Sequence, residues 1–263
     1  MRFKAVTFNL RMNTLYDGKR YFFNRSPYIL EMIKREKPDI IGFQEATTDI
    51  MRWLLANLDA YTIVGIGRNA DFSGEANPVA FLKERFVLFG MNQFWLSPTP
   101  EIPGSRYEHQ SKCPRVLVSV KLMEKNSKEV LRVYNTHLDH IDAQARLFGM
   151  QQILEQIASD HNCSSHPLIL CGDMNASPEE ESIRKVLSHK TPELIDVTAQ
   201  VKHSFHGYHG GSPYEDGDKI DYIFINNLLT CRAITVWDDP CDDYYLSDHY
   251  PILADLETNT NQT

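Results

Sequence analysis

The chain has 263 residues, 42% of them hydrophobic and 24% charged, a balance that suits a folded protein with a sizeable core and excludes a largely disordered one. A formal net charge of -8, with an isoelectric point near 5.7, excludes the basic footprint of a protein that grips long duplex DNA chiefly through its phosphates, and favours a small or single-stranded substrate. The opening Met1-Arg2-Phe3-Lys4-Ala5-Val6 lacks the apolar segment of a secretory signal, and no apolar run is long enough to span a bilayer.

Taken in chain order, alternation and β-branched enrichment predict a first strand over 3–8. A helix follows, with Ser26 as N-cap, Pro27 at its first position, Ile29 and Ile33 on one face and Pro38 as its stop. A strand over 40–43 precedes a second helix over 48–58, and strands are then predicted over 61–66, 79–82, 86–89, 116–122 and 130–134. Ala143, Leu147, Met150, Leu154 and Ile157 make one apolar stripe of a third helix, which should pack on the outside of a sheet. After a strand over 168–171, Ser177 and Glu180 around Pro178 read as a capping box that opens a fourth helix. Strands over 220–225, 232–237 and 252–256 complete the series.

So many strands imply two sheets in an α/β protein, and with no linker or composition shift the expectation is one domain over 1–257 with a frayed polar tail over 258–263. The segments 67–78, 97–114 and 203–219 are rich in Gly, Pro, Ser or Asn, and loops of such length are commonly functional; they are expected to wall the substrate. Cys113, Cys163, Cys171, Cys231 and Cys241 are odd in number and lack zinc or redox spacing, so they are expected to be reduced thiols of a cytoplasmic protein.

Polar groups recur at the edges of these strands: Asn9, Glu45, His137, Asp173 with Asn175, Asp221, and Asp248 with His249. A strand end fixes a side chain in space, so groups distant in sequence can converge on one site. The types present suit phosphate ester hydrolysis, which needs a cation against the transferring group, a group to act on water, and donors for the charge on the phosphoryl oxygens. Glu45 and Asp248 are hard oxygen ligands suited to Mg²⁺, and Asn9 either completes that shell or holds the phosphate. In Gly172-Asp173-Met174-Asn175 the two polar residues fall on one face, one to act on water and the other to orient it. His249 beside a carboxylate such as Asp221 would favour its charged form and clamp a phosphate, and His137 could do the same.

Each signature has a bland alternative: Gly-Asp-x-Asn is also a turn sequence, Glu45 could begin a loop, Asp221 could be a lone acid and His137 a core histidine. His206 and His209 lack a third soft ligand at zinc spacing and are expected on a flexible substrate loop. Asp238, Asp239, Asp242 and Asp243 lack the glycine and glutamate of a calcium loop and read as a solvated turn. Trp95, Phe86, Phe89 and Phe94 read as core, with room for one to stack on a base.

On these residues, from Phe8-Asn9 to Ser247-Asp248-His249, the chain resembles the endonuclease/exonuclease/phosphatase superfamily of DNase I-like phosphoesterases. Phe94-Trp95-Leu96-Ser97-Pro98-Thr99-Pro100, Pro103-Gly104-Ser105 and Phe205-His206-Gly207 resemble its bacterial branch related to carbon catabolite repressor deadenylases and nocturnin. The resemblance implies a four-layer α/β/β/α sandwich, two face-to-face mixed sheets flanked by helices, with the site at one end. It implies that Glu45 holds Mg²⁺ or Mn²⁺ with Asn9 and Asp248 nearby, that Asp173 activates water positioned by Asn175, that His249 paired with Asp221 stabilises the transition state, and that His137 contacts the phosphate. It places Glu75 and Asn77 in a loop bordering the site, and Arg115 either facing the phosphate or in a structural salt bridge. The implied partner is a phosphate ester, RNA or a nucleotide among the candidates, with inositol phosphates and phospholipid headgroups using the same core; no obligate protein partner is evident.

Other readings compete. A calcineurin-like phosphoesterase would require an early Asp-x-His and a Gly-Asn-His, which the chain lacks. A glycosidase would use Glu45 and Asp173 as its acid pair and would survive chelation. A binding module that has lost catalysis would have little use for intact Asp173, Asn175, Asp248 and His249.

Overall fold

Alternation along each strand decides what covers its two faces. The computed structural model describes residues 1–240 and 245–259. In chain order its elements are β1 (Arg2–Asn9), a 3₁₀ turn (Leu15–Arg20), α1 (Phe22–Glu36), β2 (Ile40–Gln44), α2 (Thr48–Asn57), β3 (Tyr61–Val64), β4 (Val79–Leu82), β5 (Phe86–Trp95), β6 (Val116–Glu124) and β7 (Val130–His137). There follow α3 (Ala143–Cys163), β8 (Leu168–Asp173), α4 (Glu181–Leu187), β9 (Leu194–Asp196), β10 (Asp221–Asn226), β11 (Leu229–Val236) and β12 (Ile252–Thr258).

The strands form two mixed sheets of six, ordered β11-β12-β1-β2-β4-β3 and β5-β6-β7-β8-β10-β9. Phe3, Ala5, Ile40 and Ile252 from the first sheet meet Val118, Val133, Ile169 and Ile223 from the second in a common core. The alternate residues Val6, Phe8, Ile41 and Phe43 turn outward onto α1 and α2, while Leu117, Tyr134, Leu170 and Phe224 turn onto α3 and α4. The result is the four-layer α/β/β/α sandwich with the DNase I-like arrangement that the resemblance implies.

Two close approaches shape the packing beneath the site, one between the sheets and one between β7 and β8 within the second. At Gly42 a Cβ would stand 2.7 Å from the Cys171 sulfur and 2.9 Å from Asn135 Oδ1, so only glycine lets β2 lie this near β7 and β8. Asn135 then bridges the sheets, donating to the Phe43 carbonyl and accepting from Gln44 Nε2 at 2.7 Å. At Gly172 the backbone has φ of +145°, and a Cβ would fall 2.0 Å from the Thr136 carbonyl oxygen.

Several boundaries depart from expectation. α1 begins at Phe22, so Pro27 lies inside the helix and Ser26 donates back to the Phe23 carbonyl instead of capping. α4 starts after Glu180, and Ser177 makes no cap because Glu180 is drawn away by a two-pronged contact with Arg146. β9 is too short to show an alternation. Phe89 is not core: it is 62% exposed, with the Lys121 ammonium over its ring. Thr258, expected in the frayed tail, is buried at the end of β12 and its N–H donates to the Met1 carbonyl. Residues 260–263 of the expected tail, and Cys241, Asp242 and Asp243, lie outside the described residues. Cys113, Cys163, Cys171 and Cys231 are free thiols, and no described helix is long and apolar enough to cross a membrane.

Candidate active site

The two parallel pairs, β1 with β2 and β7 with β8, run in register so that Asn9 lies beside Gln44 and His137 beside Asp173. Antiparallel β10 sets Asp221 opposite Asp173. The C-terminal ends of β1, β2, β7 and β8 thus gather at one end of the sandwich, around an open cavity of about 460 Å³. Loops 67–78, 97–114 and 203–219 contribute Arg68 and Glu75, Cys113, and Phe205 to its wall.

Just past β2, Glu45 adopts φ of 58°, a left-handed backbone unusual for a non-glycine residue, which takes the chain out of the strand at the cavity edge. Its Oε2 accepts from the Met12 N–H at 2.7 Å and its Oε1 from Asn9 Nδ2 at 3.1 Å. Burial works against the Glu45 charge, but the Met12 N–H, the nearby charge of His249 and the Asn9 amide hold its carboxyl below the usual range. The same Asn9 nitrogen donates to Asp173 Oδ2 at 2.9 Å, while Asn9 Oδ1 accepts from the Arg11 N–H at 2.9 Å. Asn9 therefore links the two acids through its nitrogen, while its oxygen is engaged by the Arg11 backbone.

Asp173 is buried at the end of β8, with Oδ1 accepting from the Asn175 N–H at 2.9 Å. Burial, reinforced by the charge of Asp221, pushes its carboxyl up to about 7. Asn175 has φ of 48°, which asparagine tolerates, and its side-chain amide donates to the Leu138 carbonyl at 3.1 Å.

His249 is also buried, and burial disfavours its charge. Asp221 Oδ2 stands 2.8 Å from its Nδ1, and with Asp173 and Asp248 it raises the imidazole to about 10. Asp221 is itself held behind the ring, its N–H donating to Ser204 Oγ at 3.0 Å. His249 Nε2 faces Asp173 Oδ2 at 3.8 Å and Asp248 Oδ1 at 4.0 Å. Asp248 lies 3.6 Å from Arg11 Nε, and burial raises its carboxyl above the usual range.

His137 differs from the expected second clamp. Burial and the neighbouring Arg115 and Arg68 hold it well below the ordinary histidine range, so it is neutral. Its Nε2 stands 3.4 Å from Asp173 Oδ2. Glu45, His137 and Asp173 bring ligand atoms within 4.8 Å of one another, as do Asp173, Asp221 and His249. These groups could hold a metal ion.

Other candidates are dispersed. Glu75 lines the cavity but is paired with Arg68 at 2.7 Å. Asn77 is buried away from it, donating to the Val116 carbonyl at 3.3 Å. Arg115 lies in the wall, with Asp139 3.7 Å from its Nε. His206 is not on a flexible loop: it is buried and stacked on Tyr250, ring centres 4.1 Å apart, while its N–H donates to the Asp248 carbonyl. The sequence reading missed Arg11, Arg68, His140 and Phe205 as wall residues. Arg11 follows Asn9 by two residues and His140 follows His137 by three, whereas Arg68 had no signal beyond lying in a long loop.

The sequence profile of a family described as Endonuclease/Exonuclease/phosphatase matches residues 6–249. Protein L388 of Acanthamoeba polyphaga mimivirus, described as uncharacterized, is 26% identical over 254 residues, covering 89% of this chain and 91% of its own. A solved endonuclease/exonuclease/phosphatase from Bacteroides vulgatus superposes with a TM-score of 0.90 at 26% identity, covering 98% of this chain and 100% of that one. A mannosyl-6-phosphatase from Bacteroides thetaiotaomicron shares the fold, with a TM-score of 0.86 at 24% identity and coverage of 97% and 99%.

Proposed function

Because this chain belongs to the endonuclease/exonuclease/phosphatase family, we propose that it is a divalent-metal-dependent phosphoesterase that cleaves its substrate by in-line attack of water. The observation that carries this reading is the pairing, in one cavity, of the buried Asp173 carboxylate with His249, whose Nδ1 stands 2.8 Å from a second acid, Asp221. Asp173 takes the proton of the attacking water, with Asn9 and the Asn175 N–H fixing its carboxylate and the Asn175 side chain beside it. The His249 imidazolium, backed by Asp221, opposes the charge that develops on the phosphoryl oxygens, and neutral His137 donates a hydrogen bond there. Glu45, with Asp248, would hold Mg²⁺ or Mn²⁺, which supplies further charge neutralisation at the phosphate.

A small phosphate ester fits this cavity and the acidic chain best: a sugar phosphate, a nucleotide or the end of an RNA. The likeness to a mannosyl-6-phosphatase adds support for the small-molecule end of that range. The free thiols among the described cysteines support a cytoplasmic setting, and the dependence of one cavity on both sheets supports a single domain that takes in Thr258 at the end of β12.

The test is hydrolysis of p-nitrophenyl phosphate and bis-p-nitrophenyl phosphate by the purified protein. Activity should vanish with EDTA and return with Mg²⁺ or Mn²⁺, and Asp173→Ala or His249→Ala should each lower kcat by about 10³-fold or more while the protein stays folded. Wild-type rates in both variants would sink the mechanism, and activity indifferent to chelation would sink the metal.

A further inference from the structure

The cavity has a second end that this chemistry does not use. Across the second sheet, Asp173 ends β8, His137 ends β7, and Arg115 immediately precedes β6; two strand spacings, about 10 Å, separate the first from the last. Across the first sheet the order is parallel: Asn9 ends β1, Glu45 follows β2, and Arg68 lies in the loop after β3 at the sheet edge. Arg68 and Arg115 therefore stand on the same side of the sandwich, displaced from the Asp173–His249 centre in the same direction, and both line the cavity.

Arg115 is 3% exposed, yet its Nε and Nη1 have no hydrogen-bond partner. Leaving N–H groups of a buried cation unpaired is costly, which is a reason to look for a ligand. Glu75 and Asp139 are the acids that bear on its charge, but Glu75 is paired with Arg68, and the Asp139 oxygens already accept from Ser111 and from the Ile141 and Asp142 N–H groups and stand off at 3.7 Å. The remaining nitrogen, Arg115 Nη2, donates to His140 Nδ1 at 2.8 Å, which leaves the proton of a neutral His140 ring on Nε2 as a further donor. Arg68 keeps its contact with Glu75 on the same wall.

We propose that Arg68, Arg115 and His140 form a second anion subsite, so that the preferred substrate is a small phosphate ester carrying a second phosphate group. The inference rests on the phosphoesterase reading for its first phosphate, but the subsite itself stands on the unpaired guanidinium. The unpaired Nη1 of Arg115, with the Arg68 guanidinium and the His140 ring beside it, can give a phosphate charge-assisted hydrogen bonds. One phosphate would occupy the Asp173–His249 end, and the body of the molecule would cross beneath His137.

The experiment is calorimetric titration of Asp173→Asn protein, in Mg²⁺, with two matched pairs: glucose 1-phosphate against glucose 1,6-bisphosphate, and adenosine 5′-phosphate against adenosine 3′,5′-bisphosphate. At least one bisphosphate should bind about tenfold or more tighter than its monophosphate, as a charge-assisted contact predicts, and the pair that shows the gap identifies a sugar or a nucleoside body. Adding Arg115→Gln or Arg68→Gln should bring that ratio down to about two or less. Equal affinity within both pairs, or no binding of either bisphosphate, overturns the subsite even if the Arg variants fail to fold, because the comparison needs neither. With Asp173 intact, a bisphosphate preference in binding without turnover would sink the phosphoesterase reading and leave the subsite, whereas turnover without preference would do the reverse.

Discussion

A buried imidazole tends to lose its proton, so the charge on His249 has to be supplied by its neighbours. Asp221 does most of this at 2.8 Å, with Asp173 and Asp248 adding to it. Asp221→Asn keeps an oxygen for His249 Nδ1 to meet while removing the anion. It should therefore lower kcat by about 10²-fold or more with little change in thermal stability. Rates within about threefold of wild type would mean that His249 does not act as a cation. At this scale the sequence was most legible where strand geometry alone places a side chain: Asn9, His137 and Asp173 end their strands, Asp221 opens its own and Glu45 directly follows β2, whereas His249 lies three residues ahead of β12. It was least legible where charge decides. Neutral His137 reflects the unseen proximity of Arg68 and Arg115, and the buried ring of His206 reflects the stacking face offered by Tyr250, neither of which any local spacing encodes.

Among the elements, α3 was read well because its stripe is long and regular, and its face lands on the outer side of the second sheet. Ile157 is fully buried there, so Ile157→Ala should cost about 2–5 kcal/mol by urea unfolding. Asp142 caps the same helix by accepting from the Gln144 N–H at 3.0 Å, and Asp142→Ala should cost about 1 kcal/mol. Comparable losses in the two variants would contradict this packing. The capping box proposed for α4 failed for a tertiary reason: Glu180 gains more from Arg146, 2.6 Å from its Oε2, than from the backbone of its own turn. α1 starts ahead of Ser26 because buried Phe22 anchors its first turn, edge-on to Trp53 of α2 at 5.4 Å. Local punctuation marks where a helix is allowed to start, and long-range contacts choose among the permitted places.

Considered as a whole molecule, the sandwich brings acids from both sheets into one cavity, Glu45 from the first and Asp173 from the second. Desolvation and Asp221 hold the Asp173 carboxyl up, so above neutral pH its charge is a burden on the fold. A cation bound to this cluster relieves that burden, and because it binds only the folded arrangement it must also stabilise the fold, by about 2.7 kcal/mol at a hundred times its Kd. At pH 8, saturating Mg²⁺ or Mn²⁺ should accordingly raise Tm by several degrees over protein in EDTA. Glu45→Gln should abolish most of that rise. Asp173→Asn should melt no lower than wild type in EDTA, since it removes a disfavoured charge while keeping an oxygen for the Asn175 N–H. A Tm indifferent to the metal, or an Asp173→Asn protein clearly less stable than wild type in EDTA, would mean that the acids are held together by the fold for some purpose other than binding a cation.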